Sequence, residues 1–190
     1  METINFGKYP QSENGEVKPI EWLVLEEEQG NKLLLAKYAL DCQPYNVNFE
    51  KTCWENCTLR KWLNNEFYNA AFNDDEKSQI VLSDVLPDKN PEFDTNQGEN
   101  TQDNVFLLSV LESQRYFKTD KDRICWPTAY ANKIGVWKWD KSGACDNWLR
   151  TIGGSAYGAT DVIIFGTIRM AGASVRCVSS GVRPALRIRV

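Results

Sequence analysis

Three short stretches rich in aromatic and branched residues open the chain and are separated by polar segments. They are Ile4–Tyr9, Ile20–Glu26 and Lys32–Ala36, and their composition is typical of strands. The last two flank Gln29-Gly30-Asn31, a sequence that indicates a hairpin turn. The pattern therefore predicts that the chain begins as a sheet.

A helical period replaces this pattern at Thr58, which is a plausible N-cap. The apolar residues that recur at helical spacing are Leu59, Trp62, Leu63, Phe67, Ala70 and Ala71. Asn73 with Glu76 and Ser109 with Glu112 have the spacing of capping boxes. We therefore expect one helix from Thr58 and two further short helices after the two boxes.

The segment 84–103 is polar, contains Pro and has no apolar period, which predicts a long surface loop. Its acidic residues also raise the alternative of a calcium site. The ligand order of an EF-hand is absent, so we prefer a solvated loop.

The segment 128–135 predicts another one or two helical turns, with Thr128 as cap and Gly135 as stop. Trp137, Trp139 and Trp148 follow. A segment with so many aromatic side chains is expected to be shielded from water.

The last forty residues differ in composition from the rest of the chain. No Lys, Glu, Gln, Asn or Trp occurs in the segment 151–183, although all five are common before it. Six Gly punctuate this segment at intervals typical of turns between short strands. A buried sheet would also lack long charged side chains, but polar residues are interleaved here with apolar ones. Part of the segment must therefore face water, as a binding face does.

A genetic mechanism would produce the same absences. Codons that end in a pyrimidine cannot encode Lys, Glu, Gln, Met or Trp. A segment whose variable codons derive from AAC triplets would therefore lack these residues, and Met170 is the one departure.

Length and charge restrict the class of protein. A chain of 190 residues with 42% hydrophobic content is long enough for one domain, which we divide into a scaffold (1–150) and a display segment (151–190). A net charge of −4 argues against nucleic acid as a partner. No apolar stretch reaches the roughly 18 residues that span a membrane. The opening residues lack the features of a signal peptide, so we expect a cytoplasmic protein, or a surface or secreted one if an export signal was removed.

The absence of His restricts the chemistry. It excludes Ser-His-Asp and Cys-His catalysis and removes the commonest general base. The six Cys contain no Cys-x-x-Cys pair, so we expect free thiols, no metal and no cofactor. We expect a binding protein without catalytic residues. The alternative is an enzyme that depends on a thiol or on carboxylates.

Both ends of the chain carry a family resemblance. Residues 147–150 (NWLR) and 181–186 (GVRPAL), with Val162, Gly166, Gly172 and Val175 spaced between them, look like the end of a C-type-lectin-fold domain. They are similar to the variable proteins of diversity-generating retroelements and, more distantly, to the formylglycine-generating-enzyme type of this fold. Residues 6–11 and 58–64 resemble a bacterial domain family of unknown function that shares this ending.

The resemblance implies an α+β domain with a C-type-lectin-like fold, built from small mixed or antiparallel β-sheets and two to four short helices. One small sheet would present the variable positions on a solvent face. The resemblance also implies that Trp148, Arg150, Gly181, Arg183 and Pro184 are scaffold, with Arg183 buried and hydrogen-bonded.

The positions that match the variable ones are the candidate ligand contacts. They are Tyr157, Thr160, Asp161, Ile163, Phe165, Thr167, Arg169, Ser174 and Arg176. Aromatic side chains offer a large contact area at low entropic cost, and Arg offers bidentate or cation–π contacts. The expected partner is an unidentified protein, small molecule or glycan.

Overall fold

The strand and capping patterns correspond to short elements in the computed structural model, which describes residues 2–190. The strands are β1 (Thr3–Pro10), β2 (Val17–Glu28), β3 (Asn31–Ala36), β4 (Asp41–Cys42), β5 (Ser83–Val85), β6 (Thr101–Asp103), β7 (Asn147–Ile152), β8 (Gly158–Val162), β9 (Ile168–Ser174), β10 (Gly181–Val182) and β11 (Ala185–Arg189). The helices are α1 (Thr58–Trp62), α2 (Tyr68–Ala71), α3 (Asp74–Gln79), α4 (Val110–Tyr116), α5 (Asp120–Arg123) and α6 (Ala129–Ile134), with a π-helical turn at Leu63–Phe67. The fold is thus mixed α+β, mostly β-sheet with a few short helices.

The predicted N-terminal sheet is confirmed, and the last strand of the chain completes it. The strand order is β1-β2-β3-β11, and every neighbouring pair is antiparallel. Gln29 and Gly30 connect β2 to β3 and both have positive φ (51° and 75°), as a type I′ hairpin turn requires. Trp22 and Leu34 bury their side chains completely in the core.

The helix predicted from Thr58 is present, but its cap lies one residue earlier. Cys57 is the N-cap, and its Sγ accepts a hydrogen bond from the Arg60 amide at 3.4 Å. Thr58 instead accepts a hydrogen bond from the Val47 amide at 3.0 Å, which ties a neighbouring loop to the helix start. The prediction that Thr58 is the N-cap was therefore wrong.

The other helix boundaries agree with the prediction. Both capping boxes, at Asn73 and at Ser109, are formed. Thr128 caps α6 by accepting from the Ala131 amide, and Gly135 ends the helix with φ of 138°.

A second sheet contains most of the C-terminal segment. Its order is β4-β10-β7-β8-β9, so β8 lies between two neighbours. The pairs β7–β8 and β8–β9 are antiparallel, and β10 runs parallel to β7. The segment after residue 150 thus contributes strands to both large sheets.

The segment 84–103 is not simply a solvated loop. Its ends pair as β5 and β6, and Asn90 and Gln97 between them are buried. Asn90 donates to the carbonyls of Ile152 and Met170, both at 2.9 Å, and Gln97 accepts from the Ile152 amide at 2.7 Å. The pairing register of β7 and β8 shifts next to Ile152. The side-chain amides of Asn90 and Gln97 therefore provide hydrogen bonds to backbone groups close to this irregularity in the strand pairing. The surface-loop prediction was wrong for these two residues.

The three C-terminal Trp differ in exposure. Trp148 is buried and donates from Nε1 to the Gln43 carbonyl at 3.0 Å, and Trp139 is half-buried. Trp137 is exposed, because the preceding Val136 fills the interior and the next side chain points outward. The expected shielding of Trp137 was wrong.

The predicted scaffold residues lie inside the protein. Arg183 is buried and donates from Nε to the Ala36 carbonyl at 2.9 Å, which confirms the expected buried, hydrogen-bonded arginine. Arg150 is buried too, and pairs with Asp88 (3.1 Å) and with Glu112.

Candidate ligand-binding surface

Seven of the nine predicted contact residues are exposed or half-buried, and they form two groups along the β8–β9 ladder. The tip group surrounds the turn between the strands and consists of Ile163, Phe165, Thr167 and Arg169. The base group lies at the opposite end and consists of Tyr157, Ser174 and Arg176. Tyr157 and Ile163 flank the five residues of β8 and are six positions apart, which corresponds to about 20 Å at the rise of a β-strand. The two groups are therefore two patches of one hairpin.

Thr160 and Asp161 are fully buried, so their expected exposure was wrong. Strand β8 is buried along its whole length and lies between β7 and β9 in the sheet. The Thr160 hydroxyl donates to the Thr151 carbonyl at 2.9 Å, and the Asp161 carboxylate binds Arg169. Both side chains belong to the interior that supports the surface.

The turn of the tip group leaves no space for a side chain at Gly166. Gly166 has φ of 82°, and a Cβ built there would lie 1.7 Å from the Asp120 carbonyl oxygen. The turn is closed by the Gly166 amide, which donates to the Ile163 carbonyl at 2.7 Å. Only Gly fits this conformation and this approach.

Three contacts from outside the hairpin fix the tip. Arg123 donates from Nε to the Gly166 carbonyl at 2.9 Å, and the Thr167 hydroxyl donates to the Asp120 carboxylate at 2.7 Å. The Asp146 carboxylate accepts from the Ile164 amide at 2.9 Å. The hydrogen bond from Thr167, followed by that from Arg123, lowers the pKa of Asp120. Three charged side chains thus hold the tip in place through hydrogen bonds.

Phe165 projects from this anchored turn and is 53% exposed. Its ring meets the half-buried Trp139 edge-on, with centroids 5.2 Å apart and planes at 75°. An aromatic ring held at a fixed turn and still open to water can bury further area against a partner with little loss of entropy.

Arg169 lies beside the tip between two carboxylates. Its Nε donates to Asp161 at 2.9 Å, a second hydrogen bond joins Nη2 to the same carboxylate, and Asp146 lies 3.2 Å from Nη2. Burial raises the pKa of Asp161, and Arg169 works against that rise. The Arg169 side chain is 42% exposed, so its outer edge remains open to an acceptor on a partner.

The base group carries a second aromatic pair. Tyr157 and Phe49 are both exposed, and their ring centroids are 5.0 Å apart. The Thr52 amide donates to the Ala156 carbonyl at 3.0 Å and holds the Phe49 loop against the strand. An open depression of about 410 Å³ lies beside this pair, lined by Lys51, Thr52, Cys53, Asn56, Asn96 and Ala156.

A half-buried thiol lies in the loop between β9 and β10. The Sγ of Cys177 is 3.3 Å from the Ser179 hydroxyl and 3.5 Å from the Ser180 hydroxyl. Burial raises the pKa of Cys177, but the hydrogen bonds from the two Ser outweigh it and leave the pKa lowered. This thiol is therefore more readily ionised than an ordinary Cys side chain.

Sequence reasoning missed several residues of this surface. Phe49 and Trp139 complete the aromatic pairs, while Asp120 and Asp146 hold the tip. All four lie outside the compositionally distinct segment, and their roles depend on contacts distant in sequence. The position of the aromatic Phe49 between the polar residues Asn48 and Glu50 was the only local signal.

Two kinds of feature are absent from residues 2–190. Over this range, no three or more Cys, Asp or Glu side chains cluster in a way that could hold a metal ion. None of the helices described there is long and apolar enough to cross a membrane. None of the six Cys forms a disulfide in this structure.

The family described as "Domain of unknown function (DUF6273)" matches residues 29–190. The chain belongs to this family. The match includes both large sheets apart from β1 and β2, and it covers the whole candidate surface of the DUF6273 domain. Neither a curated protein nor a solved structure matches the chain.

Proposed function

We propose that this DUF6273 protein is a non-catalytic binding protein that recognises a protein, small molecule or glycan through the β8–β9 hairpin. The observation that carries the proposal is Phe165, an exposed aromatic side chain on a turn that is held in place by hydrogen bonds from outside the hairpin. Exposed aromatic residues on a rigid support are typical of binding sites, because the support removes the entropic cost of ordering them.

The fold and the biological context are part of the same proposal. We propose a C-type-lectin-like fold, which the pairing of the last strand with the N-terminal sheet supports. We also propose that residues 151–190 correspond to the variable region of a diversity-generating retroelement protein. A second copy of this coding segment with AAC codons at the surface positions, beside a reverse transcriptase gene, would support the genetic part. A locus without both features would refute it.

Selection of ligands on the wild-type protein tests the proposal. A phage-displayed peptide library and a glycan array would be probed with wild type, with Phe165→Ser and with Leu82→Ser. Leu82 is a matched control because it is 54% exposed, close to the 53% of Phe165, and lies outside the hairpin. We expect selected ligands to lose about tenfold or more in affinity with Phe165→Ser, as for an interface hot spot, and to keep their affinity with Leu82→Ser.

The base group provides a second, independent readout in the same experiment. Ligands that are insensitive to both Phe165→Ser and Tyr157→Ser, or libraries that yield no ligand at all, would contradict the proposal. Circular dichroism of each variant separates a lost contact from a lost fold.

A thiol-dependent enzyme is the second candidate function, and one observation favours it. Cys177 combines partial exposure, a lowered pKa and two neighbouring hydroxyls. A turnover that disappears with Cys177→Ala and survives Cys53→Ala would establish catalysis and would replace the binding proposal.

A further inference from the structure

Cys125 and Cys145 face each other across an antiparallel bridge. The Cys145 amide donates to the Cys125 carbonyl at 2.9 Å, so the two residues are directly opposite. Side chains at directly opposite positions lie on the same side of the ladder, with Cβ atoms about 4.5–5.5 Å apart. Because this pair is joined by a backbone hydrogen bond, its Cα atoms are about 5.5 Å apart, which lies within the range that a disulfide spans. The Cβ atoms would have to approach to about 3.8 Å when the bond forms.

The two thiols share a small buried cluster. Both residues have no exposed surface and pack with Ala39, Ala131 and Val136. The Sγ of Cys145 also lies 3.5 Å from the position that a Cβ on Gly181 would occupy, so the pair sits beneath the Gly181–Arg183 motif. Neither sulfur has another Cys opposite it in a described strand pair.

A buried guanidinium near the pair favours ionisation of one thiol. Arg183 donates to backbone carbonyls and takes part in none of the ion pairs found among residues 2–190. Burial raises the pKa of Cys125, but the adjacent Cys145 thiol and Arg183 outweigh it, so the pKa is lowered. The interaction with Cys125 raises the pKa of Cys145. The directions of these two shifts favour Cys125 as the thiol that ionises first.

We propose that Cys125 and Cys145 form a reversible disulfide, with a small-molecule disulfide such as oxidised glutathione as the oxidant. This inference is independent of the proposed binding function.

The exchange proceeds in two steps that balance. The Cys125 thiolate attacks one sulfur of oxidised glutathione and releases one glutathione thiolate. Cys145 then loses its proton to solvent, and its sulfur attacks the Cys125 sulfur of the mixed disulfide and releases the second glutathione. The two Cys lose two electrons in total, and glutathione disulfide gains them. Because both sulfurs are buried, the exchange takes place during folding or local opening of this cluster.

Refolding in a redox buffer tests the proposal. Reduced, unfolded wild-type protein would be refolded in mixtures of reduced and oxidised glutathione, its remaining thiols alkylated, and its peptides mapped by mass spectrometry without reduction. We expect one dominant cross-link between the peptides that contain Cys125 and Cys145, lost again on addition of dithiothreitol. The oxidised protein should also have a higher urea midpoint than the reduced protein.

Single variants supply the controls. Cys145→Ala should abolish the cross-link and the shift in urea midpoint, whereas Cys57→Ala, which also replaces a fully buried Cys, should leave both unchanged. Alkylation of both Cys125 and Cys145 in wild type refolded at every glutathione ratio would overturn the proposal. A dominant cross-link between any other pair would overturn it as well. The wild-type peptide map decides the question even if Cys145→Ala fails to fold.

Discussion

Replacing Arg169 by Met is expected to destabilise the protein more than replacing Asp161 by Asn, although both changes break the same ion pair. The reason is the difference in burial, since the Asp161 side chain is 0% exposed and that of Arg169 is 42% exposed. After Arg169→Met, the Asp161 carboxylate stays inside the sheet without a cation. After Asp161→Asn, the guanidinium still contacts water and Asp146, which lies 3.2 Å away.

The magnitudes follow from this difference. Leaving one charge of a buried pair uncompensated costs about 3–5 kcal/mol. We expect the lower end of this range for Arg169→Met, about 3 kcal/mol, because the site lies near the surface. For Asp161→Asn we expect about 1 kcal/mol, since an amide still accepts a hydrogen bond from Arg169.

The cost of Arg169→Met should depend on pH. Burial already raises the pKa of Asp161 in the folded wild type, and loss of Arg169 raises it further. In the variant, the folded state therefore holds this proton at pH values where the unfolded chain has released it. The part of the cost that comes from the Asp161 charge is fully present above the folded pKa of Asp161 in the variant and shrinks as pH falls. It disappears below the folded pKa of Asp161 in wild type, because the unfolded state is the same for both proteins.

Urea unfolding followed by Trp fluorescence measures these differences at neutral and at mildly acidic pH. Arg176→Met is the matched control, because Arg176 belongs to the same surface and is exposed. We expect it to change stability by no more than about 0.5 kcal/mol. The reasoning is refuted if Arg169→Met costs no more than Arg176→Met, or if its cost is the same at both pH values.

Three further predictions concern the supporting structure. Gly166→Ala should lower the melting temperature more than Gly15→Ala. Both Gly have positive φ, but only a Cβ at Gly166 would collide with a backbone atom. We expect a loss of stability of about 1 kcal/mol for Gly15→Ala and several times that for Gly166→Ala. Ser109→Ala removes a formed capping box and should cost about 1–2 kcal/mol in thermal unfolding. Gln97→Ala leaves the buried Ile152 amide without its acceptor, so we expect a loss of about 1–3 kcal/mol and faster hydrogen exchange at that amide.

Elements that depend on neighbouring residues were predictable from the sequence. The Gln29-Gly30 hairpin and the boxes at Asn73 and Ser109 are each decided by a few adjacent side chains, and all three are present. The cap at Cys57 was missed because Thr has a stronger capping tendency, and the Thr58 hydroxyl is occupied by a loop amide that the local sequence does not identify.

Features that depend on distant contacts were not predictable. Composition indicated that some residues between 157 and 176 face water, but it could not show that Asp161 is buried while Arg169 is exposed. That separation depends on the strand register, which places the two residues opposite each other, and on the burial of β8 between its neighbours. Likewise, nothing local to Asn90 indicates that its amide reaches carbonyls 62 and 80 residues away in sequence.

In the tip group, the contacts that hold the turn are separate from the exposed side chain, which is what the proposed changeable binding surface would require. Asp120, Arg123 and Asp146 hold the turn through its backbone and through Thr167, and none of their hydrogen bonds involves the Phe165 side chain. Phe165 makes one edge-on aromatic contact with Trp139 and is 53% exposed. Substitution at this position should therefore change the free energy of unfolding by little, since exposed side chains away from networks contribute within about 0.5 kcal/mol. The same substitution removes the largest exposed apolar side chain of the tip, so its effect on a ligand would not be masked by loss of the fold.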